Sequence, residues 1–320
     1  MEEEIISFKR INRQISSILG RQCTDLSEII LTKRHIQAIY TEMAGAFSNN
    51  VFYNWGIWDE KICKEYQGLN FDFSKLCNVQ DIYSQLLLYY LIKPLANTRF
   101  FNKRLLDIGC GTGVGLRAAS EILASKYALG IDLVIRNVRN AHNNFRQENK
   151  THYIQSDAEH LPVKNESFDI ITNLESSHLY PKIDNFFSEV ERVLSPGGFF
   201  CYADLQIDQQ QQYQRLEAFI KSRKNLKIIA KHDLTKLVQG SIYQRIIIGE
   251  KQLSEYAAYI FGDQVKTELP ALIYMAGLMF LPWWKIRLKN PELHDLVKMA
   301  RKISFWYKKN YFYYLIQKSY

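Results

Sequence analysis

The fold turns on Leu105-Leu106-Asp107-Ile108-Gly109-Cys110-Gly111-Thr112-Gly113-Val114-Gly115. A short apolar run reads as a strand, ends on an acidic residue and gives way to a glycine-rich turn that opens a helix. Glycine permits unusual backbone angles there and lets a ligand approach the main chain with no Cβ in the way. In open α/β sheets such turns sit outside the carboxyl ends of the strands, where nucleotide-type ligands bind. The dinucleotide fingerprint G-x-G-x-x-G fails in both registers, because Val114 and Leu116 stand where the third glycine belongs. A G-x-x-x-x-G-K-[ST] phosphate loop is absent as well.

Outward from this stretch, short apolar runs alternate with helix-like segments. The runs are Arg104–Ile108, Tyr127–Ile131, Thr151–Gln155, Phe168–Asn173 and Gly198–Asp204. Continuous apolar strands separated by helices predict β-α-β units and a parallel sheet covered on both faces. Residues 1–100 read as helical, most clearly over Gln80–Ala96, and two further strands are expected at Leu226–Lys231 and Tyr311–Lys318. Acidic residues recur at strand ends: Asp132 closes Leu129-Gly130-Ile131-Asp132, and Asp157 lies in Gln155-Ser156-Asp157-Ala158-Glu159. A carboxylate after the second strand suits a ribose diol, which offers two donors to one bidentate acceptor.

The ordered set Asp107–Gly113, Asp132, Asp157-Ala158, Phe168-Asp169 and Leu194-Ser195-Pro196-Gly197-Gly198 resembles a class I S-adenosylmethionine-dependent methyltransferase over about residues 100–205. The resemblance implies a Rossmann-like α/β fold: a seven-stranded, mostly parallel sheet with a helical N-terminal cap and a helical insertion before the last strand. It divides the chain into a cap and lid (1–100), a cofactor-binding core (101–231), an acceptor-binding insertion (232–310) and a final core strand (311–320). It implies S-adenosyl-L-methionine as cofactor. Asp107, Gly109, Gly111, Gly113 and Asn173 would surround its methionine part. Asp132 with Leu133 would hold the ribose, and Asp157 with Ala158 the adenine. A helix-capping role is the rival for Asp157, while Phe168-Asp169 reads as the start of a strand.

Asn173-Leu174-Glu175-Ser176-Ser177-His178-Leu179-Tyr180-Pro181 is similar to the corresponding segment of small-molecule and lipid methyltransferases, in particular the phthiotriolone/phenolphthiotriolone dimycocerosate branch. Phe52-Tyr53-Asn54-Trp55-Gly56-Ile57-Trp58-Asp59 resembles the aromatic stretch that precedes the core in such enzymes. The branch implies methylation of a hydrophobic small-molecule or lipid acceptor at a hydroxyl oxygen. Carbon or nitrogen methylation is the enzymatic alternative, and a non-catalytic binding module is the alternative from another class. An Asn/Asp-Pro-Pro-Tyr tetrad is absent after the fourth strand, and no cysteine lies between Cys110 and Cys201, which disfavours nucleobase chemistry. An alcohol must lose its proton, and imidazole is the natural base near neutral pH. His178 is therefore the candidate base, with Glu175 alongside and Tyr180 as catalytic group or pocket wall. A loop-capping histidine is the rival. Tyr53, Trp55, Trp58, Tyr180 and Met279 are the candidate acceptor contacts.

Composition bounds the remainder. The chain is 47% hydrophobic and 23% charged, which excludes a disordered protein. Five scattered cysteines form no C-x-x-C pair and fit a reducing, cytoplasmic setting; no metal-ligand cluster is apparent, so metal independence is expected. The acidic start Met1-Glu2-Glu3-Glu4 argues against a signal peptide. The net charge of +8 is local: residues 285–320 hold nine Lys and Arg against Glu292 and Asp295, and the rest is nearly neutral. That excludes a whole-surface nucleic-acid binder. Pro291–Lys309 reads as a basic amphipathic helix, so 285–310 suits peripheral contact with an anionic membrane, with a solvated face as the rival. The apolar run Ala271–Trp284 is 14 residues long, too short to span a bilayer, and suits either a lid or a core helix.

Overall fold

The computed structural model describes residues 22–46, 52–69, 71–76, 81–98, 100–207, 211–245 and 309–320. Met279, the run 271–284 and the basic segment 285–308 lie outside the described residues. The amino-terminal part supplies α1 (Leu26–Ala46), α2 (Glu60–Gln67) and α3 (Ile82–Asn97). Aspartates start two of these helices. Asp59 Oδ1 accepts from Ile62 N–H (3.0 Å), and Asp81 Oδ1 accepts from Ser84 N–H (3.4 Å), each satisfying a first-turn donor that has no partner within the helix.

The alternation read from the sequence then follows: β1 (Arg104–Ile108), α4 (Val114–Ile122), β2 (Tyr127–Asp132), α5 (Ile135–Phe145), β3 (Thr151–Gln155), β4 (Phe168–Leu174), α6 (Ile183–Val193), β5 (Leu194–Ile207), α7 (Gln212–Ser222), β6 (Leu226–Asp233), α8 (Thr235–Tyr243) and β7 (Lys309–Lys318). The seven strands form one sheet in the order β3-β2-β1-β4-β5-β7-β6. The links β1–β2, β1–β4, β2–β3 and β4–β5 are parallel, while β7 runs antiparallel between β5 and β6. This is the expected seven-stranded, mostly parallel α/β sheet. The strand order reverses between β1 and β4, so a crevice opens at their carboxyl ends, beside the glycine-rich turn.

Both faces of the central strands are covered, which explains why β1, β2 and β4 are largely apolar, whereas the edge strand β6 alternates half-buried and exposed residues. Leu105, Tyr311, Tyr313 and Leu315 pack on one side with residues of α3, α4, α5 and α8. Leu106, Ile108, Tyr314 and Ile316 pack on the other with α6 and α7. The expected strand Gly198–Asp204 is longer at both ends. Its lead-in begins at Leu194, which pairs with Phe168, and the register shifts between Phe168 and Ile170 to absorb Ser195-Pro196-Gly197. The two last strands likewise each run two residues further than expected, to Asp233 and from Lys309. Among the described residues no helix is long and apolar enough to cross a membrane.

Candidate active site

An open cleft lies along the carboxyl ends of β1 to β4, roofed by α1 and the 52–54 segment. Asp107, Gly109, Gly111, Asp132, Leu133, Asp157, Ala158, Glu175, Tyr180 and Tyr53 all line it. Gly113, Asn173, His178, Trp55 and Trp58 do not.

The glycine turn is shaped from beneath. Gly109 has φ +75°, and a Cβ on it would lie 2.3 Å from Ser176 Oγ and 2.9 Å from the Tyr180 hydroxyl. Gly113 has φ +85° and ends the turn as the residue before α4; a Cβ there would lie 2.5 Å from Ala141 Cβ. Fully buried Asn173 supports the turn, donating from Nδ2 to Ile108 O (2.8 Å) and Ser176 Oγ (2.7 Å), with the Tyr180 hydroxyl at 3.2 Å. Among the described residues its Oδ1 has no hydrogen-bond donor. Asn173 and Tyr180 thus act from below the turn, and of the two only Tyr180 reaches the cleft wall.

Two carboxylates sit in the floor. Asp132 accepts from the backbone N–H groups of Gly111 and Val134 (2.9 Å each) and from Asn137 Nδ2 (3.2 Å). Burial raises its pKa against those three donors. Among the described residues Asp107 has one donor, the Thr172 hydroxyl (2.8 Å). Burial pushes its carboxyl up to about 7, and the neighbouring Asp132 adds to the push. A nearly buried carboxyl with one hydroxyl partner, facing a cleft, is a receptor for a cation. At the far end Asp157 Oδ1 accepts Glu159 N–H (3.0 Å), while Lys33 from α1 reaches Asp157 Oδ2 (2.5 Å) and Glu159 Oε2.

The other half of the cleft is apolar, with Phe52, Leu88, Leu91, Val114 and Leu174 in its wall. Glu175 stands at the junction with φ +49°, and both its oxygens lie 3.0 Å from Trp55 N. Burial raises its carboxyl to about 8, opposed by the Trp55 N–H, Tyr311 and Arg245. Trp55 and Trp58 fix this segment to the rest of the molecule. Trp55 O accepts from Ser241 Oγ and Arg245 Nη1 (2.7 Å each), and Trp58 stands edge-on to Tyr83 with centroids 5.5 Å apart.

His178 is buried on the β5 side of the cleft wall. Asp204 Oδ1 lies 2.7 Å from its Nδ1, and Asp204 Oδ2 accepts its backbone N–H (3.0 Å) and the Ser177 hydroxyl (2.5 Å). A carboxylate at Nδ1 makes that nitrogen the donor, which leaves Nε2 to accept a proton. Sequence reasoning missed Asp204, visible only as the end of a strand, and Lys33, for which no local signal exists.

Residues 106–202 match the family model described as a methyltransferase domain. Over 179 residues the chain is 32% identical to the phthiotriol/phenolphthiotriol dimycocerosates methyltransferase of Mycobacterium leprae, covering 56% of this chain and 60% of that protein. Over 105 residues it is 42% identical to the fatty-acid O-methyltransferase of Mycolicibacterium smegmatis, covering 32% of this chain and 37% of that protein. The chain therefore spans less than two thirds of the length of these relatives. The solved structure of the [4+2]-cyclase SpnF superposes with a TM-score of 0.56 at 17% identity, over 90% of this chain and 97% of that one. This shows the shared fold, and a cyclase built on it means that fold alone does not fix the reaction.

Proposed function

We propose that the protein is an S-adenosylmethionine-dependent methyltransferase that methylates a hydroxyl oxygen of a hydrophobic small-molecule or lipid acceptor. The methyltransferase domain and the curated methyltransferase relatives support the enzyme class. The observation that carries the reading is the division of the cleft: carboxylates at Asp107, Asp132 and Asp157 along one half, and an apolar wall from Phe52 to Leu174 along the other. The carboxylates fit the cofactor's chemistry. Asp107 offers a nearly buried acceptor to an ammonium, Asp132 retains one Oδ2 lone pair for a ribose hydroxyl, and the left-handed turn at Gly111 brings backbone to the cleft wall with no side chain. Bound S-adenosylmethionine supplies a methyl carbon made electrophilic by its sulfonium.

The chain's own residues position the acceptor and handle its proton. The apolar wall excludes water and holds a greasy chain. His178, which stands behind the cleft wall rather than in it, would take up the proton of the acceptor hydroxyl at Nε2. Asp204 fixes the tautomer and stabilises the imidazolium that forms, as a carboxylate behind a catalytic imidazole does. Glu175 is the second candidate acceptor of the proton, favoured by its place in the cleft wall and a pKa near 8. Single-turnover assays of His178→Asn and Glu175→Gln with a long-chain hydroxy-lipid separate the two. His178→Asn is expected to lower turnover by about 100-fold or more while S-adenosylhomocysteine affinity stays within about threefold. Loss confined to Glu175→Gln would transfer the role.

A further inference from the structure

The adenine end of the cleft holds a charged group that comes from outside the methyltransferase domain. Lys33, on α1, inserts its ammonium between Asp157 and Glu159, and all three side chains line the cleft. Burial pushes the Lys33 ammonium towards neutrality, but its bonds to the two carboxylates outweigh this and leave it charged at neutral pH. Glu159 is 2% exposed, and its other oxygen accepts Lys182 N–H. The exposed His160 also approaches Asp157, with Nδ1 3.7 Å from Oδ2. Without Lys33, two carboxylates two residues apart would repel across the same wall, and Asp157 is the less buried and freer to swing out.

We propose that Lys33 is a specificity-determining residue that fixes Asp157 so that its carboxylate reads an exocyclic amino group on the bound base. Each Asp157 oxygen has one donor, Glu159 N–H on Oδ1 and Lys33 on Oδ2, and the remaining lone pairs are all acceptors. An N–H edge of a base satisfies them; a carbonyl at the same place sets oxygen against oxygen, which is rejection by repulsion rather than by lost contact. The same bond ties α1 over the cleft, together with Cys23 N–H to Pro181 O (3.0 Å) and Gln22 Nε2 to Tyr180 O (2.9 Å). Base recognition and closure of the helix therefore share one ammonium.

This inference rests on the S-adenosylmethionine reading, and the test separates the two. Calorimetric affinities of S-adenosylhomocysteine and its deaminated S-inosyl analogue are measured on the full chain and on Lys33→Arg, Lys33→Gln and Lys33→Ala. The wild type is expected to prefer the adenosyl ligand by about tenfold or more, the scale of one charge-assisted hydrogen bond. Lys33→Ala should weaken adenosyl binding by about tenfold and bring the ratio close to one, while Lys33→Arg keeps the ratio and Lys33→Gln falls between. Hydrogen exchange over 26–46 should slow on adenosyl binding in the wild type and less in Lys33→Ala. An equal loss for both ligands in Lys33→Ala would make Lys33 an anchor of α1 alone and overturn the proposal, as would a wild type that does not discriminate. A wild type that binds neither ligand would overturn the cofactor reading, and this inference with it.

Discussion

Replacing Asp107 by Asn removes a carboxyl that the fold makes costly to ionise. Burial raises it from its usual 3.8 to about 7, a difference worth roughly 4 kcal/mol if it were wholly expressed as stability. The sign follows from proton counting. Between pH 3.8 and 7 the folded protein holds a proton on Asp107 that the unfolded chain has lost. Stability therefore falls as pH rises through that window, by at most about 1.4 kcal/mol per pH unit, and is level above it. Asn has the same shape and can still accept the Thr172 hydroxyl, so Asp107→Asn should lose this slope and be more stable than the wild type at pH 8, by up to about 4 kcal/mol. Ligand binding should show the mirror image. The charged amino group of S-adenosylhomocysteine prefers the ionised carboxylate, so wild-type affinity should strengthen by up to about tenfold per pH unit up to pH 7 and then level off. Asp107→Asn should bind at least tenfold more weakly at pH 8, with a flatter profile. Urea unfolding and calorimetry from pH 5.5 to 8.5 on both proteins measure these quantities. Asp132 and Glu175 contribute slopes of the same sign, so the difference between the two proteins is the quantity read. An Asp107→Asn protein no more stable than the wild type at pH 8, with parallel binding profiles, would refute the reasoning.

Other consequences are sharper in geometry than in charge. Gly113→Ala should lower stability by about 2 kcal/mol or more, seen as a fall in Tm, because a left-handed backbone gains a Cβ that meets Ala141 and Tyr153. Asp204→Asn should lower turnover by about 100-fold with cofactor affinity nearly unchanged, since it removes the charge that holds Nδ1 of His178; single-turnover assays alongside calorimetry check both parts. Glu175→Gln should flatten the decline in stability that the raised carboxyl imposes on the wild type as pH rises from 4.5 through about 8, measured by urea unfolding at several pH values.

Much of the fold was legible because its signals are local. Asp107 to Gly113 encode a strand end, a left-handed turn and a helix start within seven residues, and the apolar runs flanking them could be placed to within a few residues. The lead-in Leu194–Gly197 was harder to assign, since a proline and two glycines read as a loop, yet the strand absorbs them through an irregular register. The cleft was half legible. Acidic residues at strand ends announce themselves by position, so Asp107, Asp132 and Asp157 were found. Lys33 lies 124 residues from Asp157 in sequence, and its role exists only once α1 folds across the cleft. His178 stands out by residue type, but its partner Asp204 comes from a neighbouring strand and no spacing rule points to it. The aromatic stretch shows the opposite limit. Trp55 and Trp58 read as acceptor contacts, whereas the structure spends their backbone bonds and rings on joining Glu175, α3 and α8.

The central claim is methyl transfer from S-adenosylmethionine to an apolar acceptor. Its most direct test is incubation of the purified chain with methyl-labelled S-adenosylmethionine and a panel of long-chain hydroxy-lipids and fatty acids, read by mass spectrometry. Label should appear on oxygen in at least one long-chain acceptor, at a rate that falls by about 100-fold in His178→Asn. A chain that binds the cofactor tightly yet labels no apolar acceptor, or labels one equally well without His178 and Glu175, would contradict the account.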